Sequence, residues 1–170
     1  MLLTRSTPGT FLGAIFSQAM LTKLPVLLTL PLVLLLAGSA WQHIPNNLLF
    51  AQLEAELPFW GQEGYHPTDA TRTRTSNGIA HLTTTAPENP NYWTLRAGQQ
   101  AWEAWWAEDQ AAATTHNKAA ADAQWQALQS RPAHGHSWQK MLEYAQGAPG
   151  QDARITEANE QLELLQMAKQ

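Results

Sequence analysis

Histidines are the residues of this chain whose spacing first suggests chemistry. His134 and His136 form an H-x-H pair, and His116 is a third candidate. A protein metal site needs three or four ligands in a fixed geometry. The pair stands in a turn-like segment, RPAHGH, with no H-E-x-x-H pattern and no carboxylate at helical spacing. We therefore interpret these side chains as solvated turn histidines and predict neither a metal nor a cofactor.

Other side chains that could carry catalysis lack the partners that catalysis needs. Glu108 and Asp109 are adjacent in sequence, so on a helix their carboxylates point in different directions. The sequence contains no G-x-S-x-G nucleophile pattern and no glycine-rich phosphate loop. Arg72 and Arg74 could bind an anion, but we interpret them as surface charges. The sequence therefore predicts no catalytic residue, and we expect a protein that is not an enzyme.

Tryptophan is unusually frequent, with 8 residues in a chain of 170. Trp102, Trp105 and Trp106 stand at positions i, i+3 and i+4, which is the spacing of residues that pack into a helical core. Trp105 and Trp106 are adjacent and cannot both point inward, so one of them is expected at the edge of a groove. Flat indole faces stack on the apolar faces of pyranose rings. These three residues are therefore the candidates for contact with a glycan or a partner protein.

The charge balance excludes one class of partner. The chain has 10 basic and 14 acidic residues, and only Arg5 and Lys23 of the basic ones precede residue 50. Nucleic acid requires a basic face, so we predict no nucleic-acid partner. The chain has no cysteine, which excludes disulfides and cysteine-based metal sites or nucleophiles.

A long uncharged segment indicates a membrane anchor. Leu24–Trp41 carries no charge, and the next charged residue is Glu54. An uncharged run of about 18 or more residues is long enough to cross a bilayer as a helix. Lys23 precedes the run and acidic residues follow it, so the positive-inside rule places the N-terminus in the cytoplasm and the rest of the chain outside it.

A second interpretation of this segment stays open. Leu24–Ala37 resembles the apolar region of a signal sequence, and Gly38-Ser39-Ala40 resembles a small-residue cleavage site. Met20 could then be the true start of the chain. Both interpretations export the remainder of the protein.

The sequence after the anchor predicts helices throughout. No segment of it shows the alternation of apolar and polar residues, with a period of two, that is typical of a half-buried strand. Apolar spacing, capping residues and proline- or glycine-containing breaks define the elements. Within Ile44–Phe59, the anchor helix is expected to resume after Pro45 and to end at Pro58. The other predicted helices are Thr68–Thr84, Asn91–Ala113, Lys118–Ser130, Ser137–Gln146 and Asp152–Ala168.

A weak internal repeat runs through this pattern. Pro87 and Trp93 recur as Pro132 and Trp138, so that both intervals (87 to 132 and 93 to 138) are 45 residues. In each copy a helix ends at a proline-containing turn, and a tryptophan opens the next helix. This arrangement is typical of tetratricopeptide-type helical hairpins, although their usual period is about 34 residues.

Three stretches together resemble one family. They are Phe59-Trp60-Gly61, the segment from Ala80 to Trp93 that contains Ala86-Pro87-Glu88-Asn89-Pro90-Asn91-Tyr92-Trp93, and Trp125–Pro132 with Ser137-Trp138. Over residues 24–165 the chain resembles the VpsP family of exopolysaccharide biosynthesis proteins. The resemblance implies a single-pass anchor in the inner membrane of a Gram-negative bacterium and TPR-like (tetratricopeptide-like) helices in the periplasm. It carries over no catalytic residue, because the family is not an established enzyme.

The expected architecture is therefore all-α, with an N-terminal transmembrane helix followed by TPR-like antiparallel helical hairpins. Its expected parts are a cytoplasmic extension (1–23), the anchor (24–41), a linker helix and loop (42–66) and a periplasmic helical domain (67–170). The expected function is that of a non-enzymatic accessory or scaffold protein of exopolysaccharide biosynthesis or export. Its expected partners are the lipid bilayer, the polysaccharide synthesis and export proteins, and the glycan. The alternatives are a scaffold of a pilus or secretion machine and a histidine-dependent metal hydrolase.

Overall fold

The computed structural model describes residues 31–35, 38 and 44–167 of the chain. These residues form helices and no strand, so the all-α prediction is confirmed for the described part. Within that part, no helix combines the length and the apolar character needed to span a bilayer. The predicted cytoplasmic extension (1–23) lies outside the described residues, as does most of the predicted anchor (24–41). Within the predicted anchor, residues 31–35 and Gly38 are helical.

Six helices and one short turn of 3₁₀-helix follow in residues 44–167. They are α1 (44–56), the 3₁₀ turn Leu57–Gly61, α2 (Asp69–Thr85), α3 (Pro90–Trp105), α4 (Gln110–Ser130), α5 (Gly135–Gln146) and α6 (Asp152–Met167). From α2 onwards, each helix packs against the next one in sequence, most extensively α3 against α4. Residues 46–66, which the sequence assigned to a linker, belong to the same compact unit as the helices that follow.

Local capping explains where the helices begin. The hydroxyl of Thr68 accepts a hydrogen bond from the backbone N–H of Thr71 at the start of α2. Asn89 caps α3 in the same way through the N–H of Asn91, and Pro90 occupies the first helical position. That position has no hydrogen-bonding partner for an N–H group, so proline is accommodated there.

The predicted break between α3 and α4 was wrong. The sequence placed it at Thr114–Asn117, whereas the structure ends α3 at Trp105 and begins α4 at Gln110. The carboxylate of Asp109 accepts a hydrogen bond from the N–H of Ala112 at 2.7 Å and so caps α4. The hydroxyl of Thr115 donates to the carbonyl of Ala111 at 2.8 Å, one turn earlier in the same helix. Threonine is thus accommodated inside a helix that the surrounding alanines favour.

Two hydrophobic clusters form the core. The first lies among α1, the 3₁₀ turn, α2 and α3, and its buried members are Leu53, Leu57, Trp60, Ile79, Leu82, Tyr92 and Leu95. The second lies among α4, α5 and α6, and its buried members are Ala121, Leu128, Trp138, Met141, Ala145 and Ala158. Three of its six buried members are alanines.

The repeat identified in the sequence has a structural counterpart. The indole N–H of Trp93 donates to the carbonyl of Pro87 at 2.6 Å, and the indole N–H of Trp138 donates to the carbonyl of Pro132 at the same distance. A helix stands on each side of both proline turns, as predicted. The two tryptophans differ in burial, since Trp138 is 3% exposed and Trp93 is only half-buried.

Candidate functional site

Residues before α2 and on α3 and α5 enclose an aromatic cleft. Its volume is about 690 Å³, which lies within the range of about 300–1,000 Å³ found for ligand pockets. Residues 60–66, α3 and α5 form its walls. Its aromatic lining residues are Trp60, Tyr65, Trp102, Trp105, Trp106 and Tyr144. We refer to this site as the aromatic cleft.

The three candidate tryptophans all line the aromatic cleft, but in different ways. The rings of Trp102 and Trp106 stack with centroids 5.9 Å apart and an angle of 25° between their planes. Trp106 also packs on buried Trp60, with centroids 5.3 Å apart. Trp105 is 78% exposed. The expectation that one of the two adjacent tryptophans stands at a groove edge is therefore confirmed, and that residue is Trp105.

A glutamate behind the cleft fixes one of its walls. The side chain of Glu56 on α1 accepts a hydrogen bond from the Tyr65 hydroxyl at 2.8 Å and another from the Trp60 indole N–H at 3.4 Å. Its second oxygen lies 3.9 Å from a guanidinium nitrogen of Arg74. The hydrogen bond to Glu56 raises the pKa of Tyr65 above its ordinary value, because the carboxylate stabilises the neutral phenol.

A second ion pair supports the tryptophan stack. Arg72 on α2 pairs with Glu103 on α3, and its guanidinium lies 5.8 Å from the centre of the Trp106 ring. That distance suits a cation–π interaction. The structure therefore pairs both arginines considered as anion ligands, Arg72 with Glu103 and Arg74 with Glu56. Each arginine neutralises a carboxylate beside the cleft.

Helix α5 supplies the opposite wall. The ammonium group of Lys140 lies 2.8 Å from a carboxylate oxygen of Glu143 and 5.9 Å from the centre of the Tyr144 ring. Burial, with a smaller contribution from Glu143, raises the pKa of Tyr144 to about 12. The Tyr144 hydroxyl is therefore neutral near pH 7 and keeps its proton as a hydrogen-bond donor.

The histidines do not converge on one site. The ring nitrogen Nδ1 of His134 lies 2.8 Å from the Ser137 hydroxyl, and the His134 and His136 rings are 6.2 Å apart. His116 lies within α4 and bonds to the side chain of Gln100. Burial is the main cause that lowers the pKa of His134. Across the part of the chain that the structure describes, no three His, Asp or Glu side chains are grouped so as to hold a metal ion.

One catalytic spacing was missed in the sequence. Ser137 and Lys140 match the S-x-x-K pattern of some serine hydrolases. However, Ser137 is 2% exposed and bonds to His134, while Lys140 is paired with Glu143. A substrate therefore has no access to the serine, and the lysine is not positioned as its base. Asp109, for its part, serves as the cap of α4.

The cleft also contains charged and aromatic residues that the sequence prediction missed, namely Glu63, Tyr65, Lys140, Glu143 and Tyr144. Apart from Tyr65, neither their spacing nor their neighbours in sequence distinguish them from surface residues. The segment before α2 and the exposed side of α5 meet the tryptophans of α3 only through tertiary packing. The one local signal was the aromatic residue in the glycine-flanked segment GQEGYHP.

No protein-family model, curated protein or solved structure matches this chain. The resemblance to the VpsP family therefore stays a prediction, and functional inference depends on the geometry of the aromatic cleft.

Proposed function

We propose that this protein is a non-enzymatic accessory protein of exopolysaccharide biosynthesis or export that holds a glycan chain in its aromatic cleft. In this proposal Leu24–Trp41 anchors the chain in the bacterial inner membrane, and the helical part lies in the periplasm. The polysaccharide synthesis and export proteins are its partners. The uncharged segment after Lys23 and the family resemblance support this placement.

The observation that carries the proposal is the position of Trp105. Burying a large apolar side chain contributes about 1.5–3 kcal/mol to folding, yet this indole is 78% exposed at the cleft. Its neighbours Trp102 and Trp106 form a stacked aromatic surface beside it. The C–H groups on a pyranose face carry partial positive charge, and the face of an indole carries partial negative charge. An exposed indole at an aromatic cleft therefore matches a sugar ring in both shape and charge.

The repeated turns support the TPR-like part of the proposal. In TPR-type proteins, successive helical hairpins stack and present a concave surface without a reactive centre. Here α2 and α3 form one helix–turn–helix unit, and α4 and α5 form the next. The same indole-to-proline hydrogen bond closes both turns. The cleft lies against α3 and α5, the second helix of each unit.

Replacement of Trp105 tests the binding surface directly. Calorimetry with the full chain in detergent would use hexamers of glucose, mannose and N-acetylglucosamine, together with the C6-oxidised form of each. We expect Trp105→Ala to weaken binding of any bound hexamer by about two- to ten-fold, since an aromatic contact contributes about 0.5–1.5 kcal/mol beyond its buried area.

Leu164→Ala is the matched control for this experiment. Leu164 is also an exposed large apolar residue, but it lies on α6 and does not line the cleft. We expect it to bind like the parent protein. If the parent binds none of the hexamers, or if the two variants bind equally well, the glycan-binding proposal is wrong.

Deletion of the gene in its host tests the cellular role. We expect less surface polysaccharide, restored by the parent gene and not by the Trp105→Ala allele. Loss of pili or of secreted protein with polysaccharide unchanged would instead support a scaffold of a pilus or secretion machine.

A further inference from the structure

The charges that line the aromatic cleft restrict which glycans it accepts. Its charged side chains are the carboxylates of Glu63 and Glu143 and the ammonium of Lys140. With His66 counted as neutral, two carboxylates and one ammonium leave one net negative charge. Glu63 is exposed and forms neither an ion pair nor a side-chain hydrogen bond with any other described residue.

The cation in the cleft is already engaged. Lys140 lies 2.8 Å from Glu143 and over the ring of Tyr144. Behind the tryptophan stack, Arg72 is paired with Glu103, and beyond Tyr65, Arg74 is paired with Glu56. A carboxylate that enters the cleft must therefore compete with an existing partner for any of these cations. It must also approach the like charges of Glu63 and Glu143, which is unfavourable.

Neutral sugars meet no such barrier. The carboxylates of Glu63 and Glu143 are hydrogen-bond acceptors for sugar hydroxyl groups, and the Tyr144 hydroxyl can both accept and donate. The aromatic faces contact the apolar side of the ring. Polar groups at the rim and an apolar floor are the usual composition of a ligand pocket.

From these charges we infer that the aromatic cleft selects glycan chains of neutral sugars and excludes chains of uronic acids. The inference rests on the proposed function, because it specifies the substrate class of the same site. It explains why a cleft rich in aromatic rings carries two carboxylates and holds its lysine in an ion pair.

The panel of hexamers tests this selectivity, since each neutral hexamer differs from its oxidised form only at C6. The binding measurements are made at about pH 8, where a histidine with an ordinary pKa is neutral. We expect the neutral form to bind at least about ten-fold more tightly than its oxidised counterpart. The carboxylates of the cleft repel the carboxylates of the oxidised form and so weaken its binding. Equal or tighter binding of the oxidised forms would overturn the inference.

A charge-reversed cleft provides the decisive variant. Glu63→Gln combined with Glu143→Gln removes both carboxylates and releases Lys140, so the lining becomes positive by one charge. We expect the dissociation constant of the oxidised hexamer, divided by that of the neutral hexamer, to fall to about one or below, because the freed Lys140 can bind the sugar carboxylate. Circular dichroism and the melting temperature verify that the variant is folded.

Glu157→Gln combined with Glu160→Gln is the matched control. Both residues are exposed on α6, and the change in net charge is the same, but neither lines the cleft. We expect the selectivity of the parent protein. A loss of selectivity in this control would overturn the inference by assigning the effect to net charge. Trp105-dependent binding of oxidised hexamers that is as tight as that of the neutral ones would refute the selectivity alone, whereas absence of all binding would refute the proposed function as well.

Discussion

At the scale of single residues, the shape of the aromatic cleft depends on Gly61. A β-carbon at this position would lie 2.3 Å from Cη2 of Trp102 and 2.7 Å from Cζ2. The Trp102 ring stacks on Trp106 and is not free to withdraw without separating that pair. The backbone of the 3₁₀ turn can therefore approach the indole only where there is no side chain. This close approach explains the glycine that follows Trp60 in the sequence.

We predict that Gly61→Ala destabilises the protein by about 1–3 kcal/mol, because the added methyl group overpacks the contact with Trp102. Urea denaturation followed by circular dichroism measures the effect. The same substitution at Gly98 is the control, since the nearest atom to a β-carbon there is Leu57 Cδ1 at 4.0 Å. Gly98 lies inside α3, where alanine is favoured over glycine by up to about 1 kcal/mol. Equal effects of the two substitutions would contradict this account.

At the scale of elements, the two helix–turn–helix units share the same hydrogen bond across their turns. In each unit a tryptophan in the first turns of the second helix closes the proline turn through its indole N–H. The turns also contact each other. Ser130 donates a hydrogen bond to the carbonyl of Glu88 at 3.2 Å, and Arg131 donates one to the side chain of Asn91 at 2.9 Å. These bonds join the end of α4 to the turn between α2 and α3.

We predict that Trp93→Phe and Trp138→Phe both destabilise the protein, because phenylalanine lacks the indole donor. Loss of one hydrogen bond costs about 0.5–1.5 kcal/mol, and the larger effect is expected at Trp138, where the change also leaves a cavity in the core. Urea denaturation of both variants measures the two costs. If Trp138→Phe proved no more costly than Trp93→Phe, the assignment of Trp138 to a packed core would be contradicted.

At the scale of the whole molecule, the sequence predicts a defined orientation across a membrane. Lys23 precedes the uncharged run, and Glu54, Glu56 and Glu63 follow it. Moving acidic residues across the inner membrane is less restricted than moving lysines and arginines that flank an anchor. The proposed contact with an exported glycan requires this orientation, because the aromatic cleft has to face the periplasm.

We predict that alkaline phosphatase fused to the C-terminus is active in a bacterial host and that a green fluorescent protein fusion at the same position is dark. Alkaline phosphatase requires the oxidising periplasm, whereas the fluorescent protein matures in the cytoplasm and stays dark when it is exported through the general secretory route. Enzymatic activity and fluorescence of whole cells measure the two outcomes. The opposite result would exclude the periplasmic placement and the proposed function with it.

Much of the helical architecture follows from local sequence signals. Thr68 marks the start of α2, and the turn around Pro87 separates α2 from α3 as predicted. These signals act within one helical turn, because a cap or a proline changes only the hydrogen bonds of its immediate neighbours. The adjacency of Trp105 and Trp106 likewise sufficed to predict that one of them stands at a groove edge.

Tertiary structure alone decided the composition of the aromatic cleft, whereas the break between α3 and α4 follows from a local cap that the prediction overlooked. The carboxylate of Asp109 caps α4 through the N–H of Ala112, so the break lies before Gln110 and not at Thr114–Asn117. The cleft joins Tyr65 and Tyr144 to the tryptophans of α3, although no local pattern indicates that these side chains meet. Contacts between residues so distant in sequence depend on the packing of whole helices. The sequence therefore determined the helices and their turns, and packing determined which side chains meet.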